Sequence, residues 1–243
     1  MLPQKTYETK DCKLYESDFD VNKTVKLRRV MEVMQDLATT HADKLGFGWN
    51  SMNDNGLFWV MSKAKIVFHK KLDRNVRRFK LYTWPVKPDR LYVERRFEAV
   101  DDEGENLFSA TTVWMIVERD TRKIVSREAI AGFYNADFDD ASCGADVNFA
   151  RIRRDGDYLL KYERTIRRSD LDLNRHVNNT NYVDYASDAL ADTDTVSQAE
   201  ITYNRELLLN DCVSVYSKQI DRVVLIAGER GGDVCFTAKL TLF

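Results

Sequence analysis

The sequence contains little of what linkers, disulfide frameworks or membrane spans are made of. Its 243 residues include only 3 prolines, 10 glycines and 4 cysteines, which argues against long linkers and low-complexity segments. No apolar run approaches the roughly 18 residues of a membrane-spanning helix, and the residues after Met1 lack the apolar core of a signal peptide. We therefore expect a globular protein of the cytoplasm with no membrane partner.

The sequence also has no large excess of positive or negative residues. The 37 Lys and Arg nearly balance the 39 Asp and Glu, for a formal net charge of -2, so bulk charge predicts no nucleic-acid partner. Cys12, Cys143, Cys212 and Cys235 are scattered, with no Cys-x-x-Cys pair and no nearby histidine. This spacing argues against a zinc site and against a disulfide framework. We expect no metal and no organic cofactor.

What the chain does contain is apolar residues at regular spacing. Hydrophobic residues make up 44% of it, enough for a core. Between Thr24 and Gly46 apolar residues recur at intervals of three and four, which predicts a helix with Thr24 as its N-cap. Strand-like runs separated by turn residues follow at 57–69, 78–87, 91–100 and 107–118. A long helix followed by antiparallel hairpins is an α+β unit.

The second half repeats this order of elements. Residues 129–157 lose the periodicity and are predicted to form a linker. A strand at 160–168 and a helix from Asn179 follow, and then strand runs at 197–204, 211–221, 222–228 and 233–243. Tyr15-Glu16 and Tyr162-Glu163 precede the two helices at an offset of 147 residues. The repetition predicts an internal duplication, with domains at 1–128 and 158–243.

A polar segment lies between the strand and the helix of the second unit. Residues 170–182 read Asp-Leu-Asp-Leu-Asn-Arg-His-Val-Asn-Asn-Thr-Asn-Tyr. In an extended loop, Asp172, Asn174 and His176 at i, i+2 and i+4 would point to one side. A carboxylate, an imidazole that titrates near neutral pH and an amide that can donate to an oxyanion suit attack on a carbonyl. The corresponding segment of the first unit, residues 19–24, has no histidine and no amide cluster.

The same residues also suit a purely structural role. Asp and Asn close Asx turns, and Asn is a good N-cap. Asp172 and Asn174 could simply turn the chain, with Asn178 or Asn179 capping the helix and His176 hydrogen-bonded in the loop. The residues alone leave both interpretations open.

A resemblance to a known family favours the catalytic interpretation. The segment from Asp170 to Tyr182 resembles the D-x-N-x-H-V-N-N-x-x-Y signature of the acyl-acyl carrier protein thioesterases of plant and bacterial fatty-acid synthesis, and a bacterial member is expected. Residues 201–206 resemble the second motif of that family, a strand that carries a catalytic glutamate. Further similarities occur at Asn22-Lys23-Thr24, Thr40-His41-Ala42, Gly46-Phe47 and Arg119-Asp120-Thr121-Arg122. Together they cover nearly the whole chain.

The resemblance implies a tandem hotdog fold, α+β, in which an antiparallel sheet wraps a long helix in each unit and the N-terminal unit holds the acyl chain. It also implies that Asp172, Asn174, His176 and Glu206 are the catalytic set of a thioesterase. The implied reaction releases free fatty acid from acyl-acyl carrier protein and ends chain elongation. A carboxylate would either activate water or attack the thioester itself, and both routes stay open.

One position departs from the family pattern. Many plant relatives have a cysteine directly after the catalytic glutamate, whereas this chain has Leu207. An aliphatic side chain cannot be a nucleophile, which excludes a Cys-His mechanism at that position. The nearest thiol in the sequence is Cys212, and nothing local would lower its pKa.

Two further features could serve a substrate carried on a protein. Residues 61–96 contain twelve Lys or Arg against three acids, a surplus that could steer an acidic acyl carrier protein and its phosphopantetheine phosphate. The same charges could instead protect strand edges from aggregation. An acyl tunnel, or simply the core, could be lined by Met31, Met34, Leu37, Phe58, Trp59 and Met61.

Two other functions remain as alternatives. One is a hotdog thioesterase that acts on acyl-CoA, and the other is a non-catalytic module that binds acyl groups. The joint presence of four catalytic-type residues argues against the module. The resemblance also makes a homodimer possible.

Overall fold

The computed structural model describes residues 6–87, 91–126 and 144–243, and in this part of the chain ten strands form one continuous antiparallel sheet. The strands are β1 (Glu8–Lys13), β2 (Leu57–Phe68), β3 (Arg78–Pro85), β4 (Val93–Val100), β5 (Asn106–Glu118), β6 (Leu159–Thr165), β7 (Val196–Tyr203), β8 (Cys212–Ile220), β9 (Val223–Arg230) and β10 (Asp233–Leu242). The helices are α1 (Leu27–Lys44), α2 (Trp49–Asp54) and α3 (Asn179–Ser187).

The order of the strands repeats the first unit in the second. It runs β1-β3-β4-β5-β2-β7-β10-β9-β8-β6, so each half has the same internal order and the halves meet through β2 and β7. This arrangement confirms the α+β class and the predicted duplication. The nine predicted strand runs are present, whereas β1 was not predicted. Cys12 is the only buried residue of β1, so this strand lacks the alternation that identified the others.

The long helix α1 buries one stripe of side chains against the sheet. Val30, Met31, Met34 and Leu37 are each at most 3% exposed, as the spacing of three and four predicts. The helix begins at Leu27 with Lys26 as its N-cap, two residues later than predicted, because Thr24 is held in the preceding loop by hydrogen bonds to the Asp20 carboxylate.

The helix α2 was also not predicted from the sequence. It lies in the Gly- and Asn-rich stretch between the predicted helix and the first predicted strand run. Met52 is its only buried residue, and it packs in a small cluster with Phe47, Leu57, Val93 and Ile116. A short helix with one buried side chain has no periodicity to detect.

The segment after the first unit crosses the sheet near the contact between the halves. Of the predicted linker, residues 129–143 lie outside the described residues, and residues 144–157 form neither helix nor strand. The Ala150 N–H donates to Glu200 of β7 at 2.8 Å, and Lys65 of β2 donates to Asp146 at 3.0 Å. This segment therefore contacts both halves. No helix among the described residues is both long and apolar enough to cross a membrane.

Candidate active site

The loop before α3 is a tight turn closed by one aspartate. The Asp172 carboxylate accepts hydrogen bonds from the backbone N–H groups of Asn174 at 2.8 Å and His176 at 3.3 Å, and the Asp172 N–H donates to the His176 carbonyl at 2.8 Å. Arg175 takes a left-handed backbone with φ 65°. The extended loop expected from the sequence is therefore wrong, because an Asx turn folds the chain back on itself.

A second aspartate fixes the base of this loop. Asp170 is buried and accepts hydrogen bonds from the Arg167 N–H and the Arg164 guanidinium, both at 2.7 Å. Burial alone would raise the pKa of Asp170, but these two donors outweigh it and hold the pKa below its usual range. The Asp170 carbonyl accepts from the Asn178 N–H at 2.9 Å and from the Asn181 side chain at 2.7 Å. The loop is thus anchored to the start of α3.

The start of α3 is capped as the structural interpretation predicts. The Asn178 side chain accepts hydrogen bonds from the Thr180 N–H and hydroxyl, both at 2.9 Å. Asn178 is therefore the N-cap, and Asn179 is the first residue of the helix.

The strand end that follows β7 brings Glu206 to His176. The Nε2 of His176 lies 3.3 Å from a carboxylate oxygen of Glu206. A backbone bridge pairs His176 with Leu208, and the Val177 N–H donates to the Leu207 carbonyl at 2.9 Å. The His176 side chain is 26% exposed and that of Glu206 is 50% exposed. A histidine and a carboxylate, the side chains that general acid-base catalysis most often uses, thus lie in contact at the surface.

Asn174 lies beside this pair in sequence but not in contact with it. Its side chain is exposed at the tip of the turn and forms no hydrogen bond with any residue of the described part of the chain. Its amide group is therefore open to a ligand.

Tyr182 of α3 stabilises the strand end that follows β7, through a contact that was not predicted from the sequence. Its hydroxyl accepts a hydrogen bond from the Leu207 N–H at 3.2 Å. The ring is 3% exposed and packs edge-on against Tyr203 and Phe236, with centroids 5.3 and 5.4 Å away. The only signal in the sequence was that this tyrosine closes the polar motif.

The first unit contains the same turn. The Asp20 carboxylate accepts hydrogen bonds from the N–H groups of Asn22 and Thr24, both at 2.9 Å, and Lys23 has φ 61°. Asp20 therefore corresponds to Asp172 at an offset of 152 residues. The offset of 147 taken from the Tyr-Glu pairs is wrong, because Tyr15 precedes a 3-10 turn while Tyr162 lies within β6.

The two turns differ in the residues that could carry chemistry. Thr24 stands where the second unit has His176. The Val25 N–H donates to the Leu72 carbonyl at 2.8 Å, as Val177 does to Leu207, so Lys71 stands where the second unit has Glu206. The aspartate and the asparagine of the turn thus occur in both units, whereas the second unit has a histidine where the first has a threonine.

The four candidate residues do not line the cavities at the start of α1, beside β1 or at Leu171. The first, of about 960 Å³, lies between the start of α1 and the end of α3 and is lined mainly by polar residues such as Arg28, Asp184 and Asp188. A cavity of about 170 Å³ lies under Leu171, and one of about 560 Å³ lies beside β1.

The six residues considered for an acyl tunnel line none of these cavities either. Met31, Met34, Leu37 and Met61 are buried in the core. Phe58 and Trp59 are half-buried.

Two family models match most of the chain. Residues 4–132 match the acyl-ACP thioesterase N-terminal domain, and residues 156–234 match the acyl-ACP thioesterase C-terminal domain. The chain belongs to the acyl-ACP thioesterase family.

Sequence similarity to individual thioesterases supports this membership. Oleoyl-acyl carrier protein thioesterase 2 of Arabidopsis thaliana chloroplasts is 23% identical over 213 residues, which are 79% of this chain and 58% of that protein. A chloroplastic acyl-[acyl-carrier-protein] hydrolase of Cuphea viscosissima, FATB2, is 24% identical over 206 residues, which are 78% of this chain and 49% of that protein. The chain thus spans less than two thirds of the length of these relatives.

Two solved structures have the same fold along the whole chain. An acyl-ACP thioesterase from Bacteroides thetaiotaomicron is 21% identical, with a TM-score of 0.86 and 98% of each chain covered. The 12:0-ACP thioesterase from Umbellularia californica is 18% identical, with a TM-score of 0.84 and coverage of 100% of this chain and 99% of the other. The tandem hotdog fold is confirmed.

The position at which this family member lacks a cysteine is fully buried. Leu207 has 0% exposure, and its neighbour Glu206 is exposed at the strand end, so consecutive side chains point in opposite directions. Cys12, Cys212 and Cys235 are free thiols, and Cys143 lies outside the described residues. Burial raises the pKa of Cys12 to about 11 and also raises that of Cys235. The described residues contain no group of three or more His, Cys, Asp or Glu side chains that could hold a metal.

The basic stretch 61–96 is less basic at the surface than its sequence suggests. Lys65 and Arg95 are buried. Arg74 and Arg77 pair with Glu16 at 2.9 and 2.8 Å. Because acids from outside the stretch neutralise many of its charges, it does not form the uniformly basic face that we considered from the sequence.

Proposed function

We propose that this chain hydrolyses the thioester of acyl-acyl carrier protein and releases a free fatty acid, which ends chain elongation. Membership of the acyl-ACP thioesterase family supports this activity. The observation that carries it is the 3.3 Å contact between His176 and Glu206, two side chains far apart in sequence that meet at the surface of the second unit. The first unit has threonine and lysine at these positions, so the fold does not require the pair.

In the proposed mechanism His176 and Glu206 act together on a water molecule. The pair takes a proton from the water, whose oxygen attacks the thioester carbonyl, and the tetrahedral intermediate expels the thiol of the carrier, which receives the proton. The exposed amide of Asn174 would donate to the oxyanion. Asp172 would act as a positioning residue, because its Oδ1 accepts hydrogen bonds from two backbone N–H groups and so holds the turn that carries Asn174 and His176. Direct attack by the Glu206 carboxylate is the competing route.

The two units would have different roles, one in binding the acyl chain and the other in catalysis. We assign residues 1–128 to an N-terminal domain that receives the acyl chain, residues 129–157 to a linker, and residues 158–243 to the catalytic domain. A homodimer and a cytoplasmic location stay predictions.

The test is to follow thiol release from acyl carrier substrates of several chain lengths and from the matching acyl-CoA esters. We expect faster turnover of the carrier substrates, and a loss of about a hundredfold or more in kcat for His176→Gln and Glu206→Gln. The matched controls are Thr24→Gln and Lys71→Gln, which change the corresponding positions of the first unit and should retain activity. Equal turnover of acyl-CoA would indicate the CoA thioesterase. Acyl binding without hydrolysis would indicate the non-catalytic module.

A further inference from the structure

Exposed leucines surround the His176–Glu206 pair. Leu173 is 98% exposed, Leu208 is 43% exposed and Leu209 is 49% exposed. Leu208 forms the backbone bridge opposite His176, and Leu173 lies in the turn closed by Asp172. Apolar side chains gathered in this way at a protein surface mark a place where another surface binds.

Arginines without acidic partners lie in and just before the same turn. Arg167, Arg168 and Arg175 are exposed, and none of them forms an ion pair with a residue of the described part of the chain. Of the nearby acids, Asp170 pairs with Arg164, Glu206 lies against His176, and the Oδ1 of Asp172 accepts two backbone N–H groups of the turn. We call these residues the loop patch: Arg167, Arg168, Leu173, Arg175, Leu208 and Leu209.

The first unit shows that the fold does not need this patch. With the offsets fixed by the two turns, the first unit has Tyr15, Glu16, Val21, Lys23 and Asp73 where the second has the first five residues of the patch. Glu16 is negatively charged where the second unit has Arg168, and it pairs with Arg74 at 2.9 Å. Asp73 is charged where the second unit has the apolar Leu208. Of the two equivalent turns, the one beside the His176–Glu206 pair thus combines leucines with unpaired arginines, and the other does not.

We propose that the loop patch is the surface on which the acyl carrier protein docks, a proposal that rests on the proposed function. The thioester lies at the end of an arm attached to the carrier, so the carrier has to bind beside the pair that cleaves it. Three unpaired arginines complement an acidic carrier and the phosphate of its arm, and the leucines offer apolar contact area. The stretch 61–96 lacks this role because many of its charges are already paired.

The test compares two triple charge reversals. One changes the patch, Arg167→Glu, Arg168→Glu and Arg175→Glu. The control makes the same change in net charge at three exposed residues away from it, Arg78→Glu, Lys87→Glu and Lys123→Glu. The measurements are the Kd of unacylated holo-carrier by fluorescence anisotropy, and kcat/KM for acyl carrier and for the acyl thioester of N-acetylcysteamine. We expect the patch variant to lose about tenfold or more in affinity and in kcat/KM for the carrier. Its kcat/KM for the small thioester should stay within about twofold of the wild-type value. For the control variant, the Kd and both kcat/KM values should stay within about twofold of wild type.

A neutral variant tests the apolar half of the patch. Leu173→Ser with Leu209→Ser should raise the Kd for the carrier without altering the dependence of binding on salt, whereas the charge variant should weaken that dependence. Both leucines are exposed, so the core is untouched.

Several results would overturn the proposal. An equal loss in both charge variants would indicate bulk charge, and an equal loss on the small thioester would place the patch in the reaction itself. Patch-dependent binding to phosphatidylglycerol vesicles with unchanged carrier kinetics would indicate a lipid surface. If the wild type binds holo-carrier through the patch but hydrolyses no thioester, docking stands and the proposed function fails.

Discussion

Asp172 and Asp20 have the same structural role in the two units. Each accepts hydrogen bonds from two backbone N–H groups and closes a turn before a helix. An aspartate that occupies the first position of a catalytic motif therefore has a role that does not depend on catalysis. At the two positions of the proposed acid-base pair, the second unit has His176 and Glu206 where the first unit has Thr24 and Lys71.

His41 is a residue of the family resemblance that serves the core rather than the candidate site. It is 3% exposed on α1, and its Nδ1 lies 3.0 Å from the guanidinium of Arg95, which also reaches Thr83 at 3.3 Å. Because a guanidinium can only donate, Nδ1 is the acceptor and His41 is neutral. Burial, and then the charge of Arg95, lower the pKa of His41 to about 4.

This lowered pKa predicts a loss of stability in acid. The unfolded chain binds a proton on His41 near its ordinary pKa of 6.5, whereas the folded chain stays neutral until about 4. The contribution of a neutral His41 is complete above 6.5 and decreases as the pH falls toward 4. Urea denaturation at pH 7 and pH 5 should show that the wild type loses roughly 2 kcal/mol more than His41→Asn. Equal losses in the two proteins would contradict the assignment, since all other groups titrate in both.

At the scale of elements, the candidate site is held by contacts between α3 and the strand end after β7. Tyr182 on α3 accepts the Leu207 N–H, and that residue is the direct neighbour of Glu206. The corresponding residue of α1 is Val30, which has no hydroxyl. The unit without the acid-base pair thus also lacks this support.

Removal of the Tyr182 hydroxyl should lower both stability and kcat. In Tyr182→Phe the buried Leu207 N–H loses its partner, at a cost of about 1–3 kcal/mol, and Glu206 is less well positioned. We expect kcat to fall about tenfold with KM little changed. Tyr203→Phe is the matched control, because it removes a hydroxyl bonded to the Asn179 carbonyl at 3.1 Å. Equal effects of the two variants on kcat would show that the loss is only structural.

The sequence allowed prediction of the elements with a strong apolar pattern and not of those without one. The strands and α1 were predicted because their buried residues recur at a regular spacing. The elements β1 and α2 were missed because each buries a single residue, Cys12 and Met52. Spacing alone could not distinguish an extended loop from the turn that Asp172 closes. The contact between Tyr182 and Leu207 depends on the tertiary register of a helix and a strand, which local patterns do not encode.

At the scale of the whole molecule, the two units are joined by an ionic cluster around the buried Lys65–Glu200 pair as well as by backbone pairing. Lys65 of β2 stands directly opposite Glu200 of β7, with their charged atoms 3.7 Å apart and both side chains 5% exposed. Asp146 and Lys239 complete the cluster, at 3.0 Å from Lys65 and 3.7 Å from Glu200. Each charge is compensated by a group from another segment, so the cluster links β2, β7, β10 and the segment that crosses the sheet.

Removal of the positive charge at the centre of this cluster should destabilise both units together. Lys65→Met leaves the buried Glu200 carboxylate with Lys239 as its one remaining cation in the cluster, which should cost about 3 kcal/mol. Lys63→Met is the control, because Lys63 points to the same face of β2, lies over the ring of Phe149 at 5.2 Å and forms no ion pair with a described residue, and should cost less than about 1 kcal/mol. Guanidinium denaturation should be followed by tryptophan fluorescence, which reports on the first unit, where all four tryptophans lie, and by far-UV circular dichroism, which reports on both. Coincident transitions that shift together in Lys65→Met would support a seam that couples the units. A shift confined to fluorescence would show that the units unfold independently.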